Sequence, residues 1–126
     1  MPAFEVTVAI KKDGVDLAGF PYRRTIETAE GTDFNVTKAG SDGAGVYSAF
    51  PGLIVGKAVQ LFVASSDQAI NLIPGALAAK DGILALLAGG LILLINVNEA
   101  AGAGDQIEIN NLGTPVANIK GAWGST

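Results

Sequence analysis

The fold is decided by the stretch ILALLAGGLILLINV, residues 83–97. Residues 83–95 carry no charge and no strongly polar side chain, and Gly89 and Gly90 stand near the centre. A membrane helix needs about 20 apolar residues, which is more than this run offers. A buried helix would carry two central glycines, each costing about 1 kcal/mol relative to alanine. We favour a third interpretation, two strands joined by a tight turn at Ala88-Gly89-Gly90, because Gly-Gly supplies the positive φ that hairpin turns need.

The second strand of this predicted hairpin is apolar on both faces. Alternate side chains of a strand face opposite sides. One face would carry Leu91, Leu93, Ile95 and Val97, and the other Ile92 and Leu94. A strand on the outside of a monomeric sandwich would show one polar face. The hairpin is therefore expected to need cover on both sides, from a second sheet and from a neighbouring subunit.

Length and composition indicate a single domain, residues 1–126, that associates with other proteins. The chain has 126 residues, enough for a real core, and 49% of them are hydrophobic. Charged residues make up 16%, against about 25% in an average soluble domain. Apolar or small neutral groups must then cover part of the surface, which favours an oligomer or a docked protein. The net charge of −4 and the lack of a basic run longer than two residues argue against a nucleic-acid partner.

The sequence also restricts the chemistry. Cysteine and histidine are both absent, which removes thiolate catalysis, Ser-His-Asp catalysis and the commonest metal ligand. The carboxylates are scattered and mostly adjoin turn glycines, where Asp bonds the local backbone. We therefore predict no catalytic site, no metal site and no cofactor. The opening MPAFEVTV lacks the features of a signal peptide, so we expect synthesis in the cytoplasm and no membrane partner.

Strand signals recur along the whole chain. Phe4, Val6, Val8 and Ile10 alternate with polar or small residues, and Lys12-Asp13-Gly14 follows as a turn. Further short strands are predicted in the segments 22–28, 34–37, 46–50, 58–64, 69–73, 106–110 and 116–122. With turn signals at intervals of about 8–12 residues, this pattern predicts an all-β antiparallel sandwich, jelly-roll-like, of about eight to ten short strands.

Two further features have a functional and a structural interpretation. GLIVGKA, residues 52–58, resembles a phosphate loop, but it is one residue short and Ala58 replaces the hydroxyl that would hold magnesium. We interpret it as a turn before a strand. Trp123 is either an interface anchor, since tryptophan is enriched at binding hot spots, or a cap on one end of the core.

The chain as a whole resembles the small all-β virion proteins of tailed bacteriophages, particularly the decoration or cement proteins of the outer capsid. The resemblance lies in VTVAIKKDGVDLAGFPYRRT, TDFNVTKAG, DQAINLIPGA, LLAGGLILLI and VANIKGAWGST. It implies a β-sandwich or jelly roll, commonly trimeric, that is clamped across neighbouring subunits of the major capsid protein. It implies no catalytic residues. A tail or fibre module, or a domain that binds host-surface carbohydrate, fits the same composition and is the alternative.

Composition and resemblance together predict where subunits meet. We expect a homotrimer on the outer surface of the virion, with part of the stretch 83–97 at the subunit contact. The number three comes from the resemblance alone. The competing interpretation buries both faces of the stretch inside one chain. The candidate interface residues are Ile92, Leu93, Leu94, Ile95 and Trp123.

Overall fold

The computed structural model describes residues 1–51, 59–73, 84–95 and 107–126. Within these residues the chain forms strands and no helix, which confirms the predicted all-β class. The strands are β1 (Ala3–Val8), β2 (Lys11–Lys12), β3 (Val15–Asp16), β4 (Tyr22–Glu27), β5 (Glu30–Lys38), β6 (Ser48–Ala49), β7 (Val59–Ser66), β8 (Ile70–Ile73), β9 (Leu84–Leu86), β10 (Leu91–Ile95), β11 (Glu108–Asn110) and β12 (Ala117–Ser125). They outnumber the predicted eight to ten because three of them are two residues long.

Two four-stranded antiparallel sheets form a sandwich. Sheet I has the strand order β10-β7-β12-β5, and sheet II has the order β6-β11-β8-β9. Every pairing in both sheets is antiparallel, as the alternating sequence predicts. The antiparallel sandwich is thus confirmed, while its jelly-roll connectivity stays a prediction.

The core lies between the two sheets and is centred on three phenylalanines. Phe34 of β5, Phe50, which follows β6, and Phe62 of β7 contact one another. Their ring centroids are 4.9 Å apart for Phe34 and Phe50, 5.1 Å for Phe50 and Phe62, and 6.0 Å for Phe34 and Phe62. Edge-to-face and offset contacts of this kind stabilise a core beyond the burial of area alone. Aliphatic side chains from both sheets complete the cluster, including Ile109 of β11 and Ile119 of β12.

The first 28 residues form one long hairpin, which we call the N-terminal hairpin. β1 pairs with β4 along six residues, and β2 pairs with β3 nearer the tip. Asp13 and Gly14 both have positive φ, 53° and 79°, as a two-residue turn of the primed type requires. The predicted turn at Lys12-Asp13-Gly14 is therefore confirmed.

The predicted hairpin at residues 83–97 is wrong, although its turn is right. β9 pairs with β8 in sheet II, whereas β10 pairs with β7 in sheet I. Between them, the N–H of Gly90 donates to the carbonyl of Leu87 at 2.8 Å, and Gly89 has φ +77°. The segment thus crosses from one sheet to the other instead of folding back on itself. Residues 83, 96 and 97 lie outside the described residues, as does the phosphate-loop candidate at 52–58.

The same crossing is made by the preceding pair of strands, β7 and β8, which also belong to different sheets. The N–H of Gly89 donates to the carbonyl of Ser66 at 2.8 Å, so the two crossings lie side by side. This arrangement explains the failed prediction physically. A strand in either sheet has one face covered by the opposite sheet. Pairing β10 with β9 would cover no more of its apolar surface than pairing it with β7 does.

A candidate association surface

An open apolar groove lies between β1 and the outer face of sheet I, the face turned away from sheet II. Its volume is about 540 Å³. Sheet I contributes Leu61, Val63, Leu91, Leu93 and Ala122, and the other wall consists of residues 4–8 of β1 together with Ala9. Most of the side chains that line it are aliphatic or aromatic, and we call it the apolar groove.

One end of β1 is held over sheet I. Two glycines, Gly31 of β5 and Gly124 of β12, leave room for the ring of Phe4. A Cβ at Gly124 would lie 3.1 Å from Phe4 Cε2 and 2.6 Å from Thr28 Cγ2, closer than real contacts allow. The N–H of Ala29, which directly follows the hairpin, donates to the carbonyl of Ser125 of β12 at 3.0 Å, so this end of the hairpin is tied to sheet I. The groove opens along the rest of β1, beyond this anchored end.

β10 separates the predicted interface residues by face. Ile92 and Leu94 pack against the core cluster. Leu93 and Leu91 line the apolar groove, where Leu91 is 66% exposed. Ile95 is partly exposed and pairs with Leu61. The structure therefore brings Leu93 to an open surface, and it directs Ile92 and Leu94 inward.

Trp123 lies in the core. It is 6% exposed, belongs to the core cluster and pairs with Phe62 across β12 and β7. This is the second of the two alternatives that the sequence leaves open. With so little exposed surface, Trp123 has no free face for anchoring another subunit.

The groove residues of β1 were missed at the sequence level. The alternation of Phe4, Val6 and Val8 predicts a strand with one apolar face, but it does not say what that face meets. The number of apolar strand faces is the sequence signal that could have identified them. β1 has one apolar face and β10 has two, whereas a two-layer sandwich has only one interior in which such faces are buried.

A second apolar concavity, of about 260 Å³, lies on sheet II. It shares no lining residue with the apolar groove. Its rim carries Leu87 and Leu112, which are 74% and 51% exposed, and Leu86 and Pro115 also line it. The described part of the protein thus presents two separate apolar surfaces.

A polar cleft of about 570 Å³ adjoins the crossing between the sheets. Asn118 donates from its backbone N–H to Asp67 Oδ1 at 2.8 Å and from Nδ2 to Asp67 Oδ2 at 2.7 Å. The side-chain bond, followed by the backbone bond, lowers the pKa of Asp67 below its ordinary value. Each carboxylate oxygen of Asp67 accepts a hydrogen bond from Asn118, so this pair of residues holds a turn in place beside the cleft.

Asn110 and Asn111 are buried and hold the loop between β5 and β6. Asn110 Nδ2 donates to the carbonyls of Gly43 and Val46 at 3.0 and 2.6 Å. Asn111 Nδ2 donates to the carbonyls of Lys38 and Pro115 at 3.2 and 2.9 Å, and Asn111 Oδ1 accepts from Gly113 N–H at 3.2 Å. The loop is therefore fastened by buried side chains, which neutral amides can do without a desolvated charge.

Asp42 completes this network. Its Oδ2 accepts from the N–H of Asn111 at 2.7 Å and pairs with Lys38 Nζ at 2.8 Å. The backbone hydrogen bond from Asn111 is the main cause, and Lys38 the next, of a lowered pKa for Asp42. Like Asp67, this carboxylate is committed to local structure.

Across the four described ranges, no three acidic side chains lie close enough together to hold a metal ion. In the same ranges no helix is long and apolar enough to cross a membrane.

Comparison of the chain with protein-family models, with curated proteins and with solved structures finds no match.

Proposed function

We propose that this protein is a structural component of a virion, a decoration protein that binds the outside of a tailed-phage capsid as a homotrimer and stabilises it. The open apolar groove carries the proposal that the protein works by association. The capsid as partner, with the major capsid protein as the contacted subunit, rests on the sequence resemblance.

The presence of two apolar surfaces supports this function. A cement protein needs one surface for its own copies and another for the capsid. The apolar groove suits the first role because Leu93, a candidate interface residue, lines it. The concavity on sheet II, with Leu87 and Leu112 at its rim, is the surface that we assign to the capsid. Burying exposed leucines contributes roughly 1.5–3 kcal/mol each, so both contacts have a clear driving force.

The polar groups of the described residues support a role without turnover. Among the described residues, Asp42 and Asp67 are the carboxylates with a lowered pKa, and both accept hydrogen bonds from neighbouring side chains and backbone. A general base needs a free lone pair within hydrogen-bond reach of its substrate. A screen against bacterial surface polysaccharides is the direct challenge. Hydrolysis that disappears on changing one Asp or Glu would overturn the non-enzymatic assignment.

The test of capsid binding uses phage particles that lack the protein. Purified protein is added, the particles are sedimented, and the bound fraction is measured. We expect saturable binding that Leu87→Asp and Leu112→Asp together reduce at least tenfold. Val116→Asp, which changes another exposed aliphatic residue, serves as the control. Labelling confined to the tail, or retention on host polysaccharide and not on capsids, would replace the proposal by the tail, fibre or carbohydrate-binding alternative.

A further inference from the structure

We infer that the tip of the N-terminal hairpin is a site of slow covalent self-modification, where Asp13 converts to isoaspartate by way of a succinimide ring. The inference goes beyond the proposed function and does not depend on it. Three aspartates in the sequence are followed by glycine, at positions 13, 42 and 81. Position 81 lies outside the described residues, so the structure allows a comparison of the first two.

The reaction uses only groups of the chain and water. The backbone nitrogen of Gly14 attacks Cγ of Asp13, so an N–Cγ bond forms and a Cγ–O bond breaks, and the amide proton and the carboxyl hydroxyl leave as one water molecule. Water then adds to one of the two carbonyl carbons of the ring and cleaves the bond from that carbon to the nitrogen. Addition at Cγ restores aspartate, whereas addition at the other carbonyl leaves the main chain running through Cγ as isoaspartate. The net change is an isomerisation.

The turn presents both reacting residues to solvent. Asp13 and Gly14 are exposed, as are the four residues of β2 and β3 beside them. Among the described residues, no group is hydrogen-bonded or ion-paired to the carboxylate of Asp13. A Cβ built on Gly14 would meet no atom within 4 Å, and glycine has no side chain of its own to crowd the attacking nitrogen. The carboxyl group and the nitrogen can therefore approach each other by rotation about the bonds of Asp13 alone.

The paired backbone beside the turn is short and opens easily. Two residue pairs join β2 to β3, against six between β1 and β4. Asp13 also has φ +53°, in the left-handed region that costs energy for a residue with a Cβ. Local opening is easiest where few backbone pairs are present and these are exposed to solvent. The backbone of Asp13 is thus free to rotate into the ring-forming geometry.

Asp42 and Gly43 repeat the same two residue types, but here the carboxylate is held. Asp42 Oδ2 accepts from the N–H of Asn111 at 2.7 Å and pairs with Lys38 Nζ at 2.8 Å. The N–H of Asp42 also donates to the carbonyl of Asn111 at 2.9 Å, and Asn111 is buried. Turning the carboxyl group towards the nitrogen of Gly43 would break both contacts of Oδ2 at once. The structure therefore protects position 42 and leaves position 13 reactive.

The protonation of Asp42 adds to this protection. The hydrogen bond from Asn111, followed by the contact with Lys38, lowers the pKa of Asp42. Ring closure proceeds through the protonated carboxyl group, because its hydroxyl leaves with the amide proton as water. A lowered pKa leaves a smaller fraction of Asp42 in that reactive form.

The modification changes the shape of the tip and leaves the body of the protein intact. Isoaspartate adds one carbon to the main chain, and a two-residue turn of the primed type depends on the exact length and φ angles of its two residues. β2 and β3 would therefore unpair. β1 stays in place, because six residue pairs join it to β4 and the ring of Phe4 lies against Gly31 and Gly124.

Ageing the purified protein tests the inference, since the two sites serve as controls for each other. The protein is kept at neutral pH and body temperature for several weeks and digested, and electron-transfer fragmentation of the peptides distinguishes isoaspartate from aspartate. We expect isoaspartate at position 13 at a level at least tenfold above that at position 42. Ageing in ¹⁸O-labelled water should introduce the label at position 13, because each ring opening takes up one oxygen. Equal levels at the two positions, or a higher level at position 42, would overturn the inference.

Two comparisons show whether the structure causes the difference. In concentrated urea the two positions should react at similar rates, because glycine follows each of them. A tenfold difference that persists in urea would assign the preference to the sequence and overturn the structural argument. Lys38→Gln removes the ion pair of Asp42 without touching the N-terminal hairpin, so isoaspartate should increase at position 42 and stay unchanged at position 13. An unchanged level at position 42 would contradict the protection assigned to this contact.

The effect on the tip is measured on the isoaspartyl form, separated from the unmodified protein by chromatography. The N–H of Leu17 donates to the carbonyl of Ile10 at 3.0 Å, just beyond β2 and β3. Amide hydrogen exchange at Leu17 should be faster in the isoaspartyl form, whereas exchange in β7 should not change. Equal exchange at Leu17 in both forms would show that the turn accommodates isoaspartate, and would overturn the predicted opening of the tip.

Discussion

Leu93 and Leu94 are neighbours in the chain and face opposite sides of sheet I. Leu94 pairs with Phe62 and packs against the core, whereas Leu93 pairs with Val63 and lines the apolar groove. A single peptide bond thus separates a residue that the fold needs from a residue that the fold leaves available.

Changing these two residues to aspartate should separate folding from association. Leu94→Asp places a charge against the core and should lower the free energy of unfolding by about 3 kcal/mol or more. Leu93→Asp should leave a folded protein of lower oligomeric mass. Urea unfolding and light scattering on both variants check this. If both variants simply unfold, the groove face of β10 is also required by the fold, and the surface contact lies elsewhere.

Gly124 should tolerate no side chain, because Phe4 and Thr28 occupy the space. Gly124→Ala is expected to lower the free energy of unfolding by about 1–3 kcal/mol through overpacking. Gly113→Ala is the matched control, since a Cβ there would meet its nearest neighbour at an ordinary 3.4 Å. Chemical unfolding of the two variants checks the difference. Equal stability of the two variants would mean that the N-terminal hairpin shifts to accommodate the added methyl group at no cost in free energy.

Asn111 should contribute more to stability than an exposed asparagine. Asn111→Ala leaves the carbonyls of Lys38 and Pro115 and the N–H of Gly113 without this partner, and we expect a loss of about 2–3 kcal/mol. Asn35→Ala, at an exposed position on β5, should change stability by less than about 0.5 kcal/mol. A thermal melt of each variant makes the comparison. Similar melting temperatures would show that water replaces the lost bonds.

Acid should weaken the turn that Asp67 and Asn118 hold. The native hydrogen bonds lower the pKa of Asp67, so its contribution is present above the ordinary value of 3.8 and is lost as the pH falls through the lowered value. Asn118→Ala should raise the pKa of Asp67 towards 3.8, as a carboxyl-detected NMR titration would show. A pKa that stays unchanged in this variant would assign the shift to other groups.

The local signals in the sequence predicted much of the fold. The alternation of Phe4, Val6 and Val8 located β1, and Gly89 with Gly90 located a turn. Both signals are local, because side-chain period and backbone conformation depend on residues close together in the chain.

The partners of the strands could not be predicted in the same way. β9 and β10 are adjacent in sequence, and a hairpin was the simplest pairing for them. Their actual partners are decided by which sheet covers each apolar face, which depends on residues far along the chain. The groove was missed for the same reason, since Val6 and Leu91 come to line the same groove only after the hairpin and sheet I have both formed. Alternation alone predicted that Leu93 and Leu94 face opposite sides of the strand, but only the structure shows which of the two sides stays open.

The position of β12 has a consequence for how the chain is made. β12 lies between β5 and β7, both of which precede it, so sheet I closes only when residues 117–125 arrive. During synthesis the emerging chain would hold β5 and β7 with their facing edges open, and unpaired edges recruit other chains. Pairings between distant segments also form slowly. The apolar strands on which the proposed assembly depends therefore expose the nascent chain to aggregation until β12 inserts.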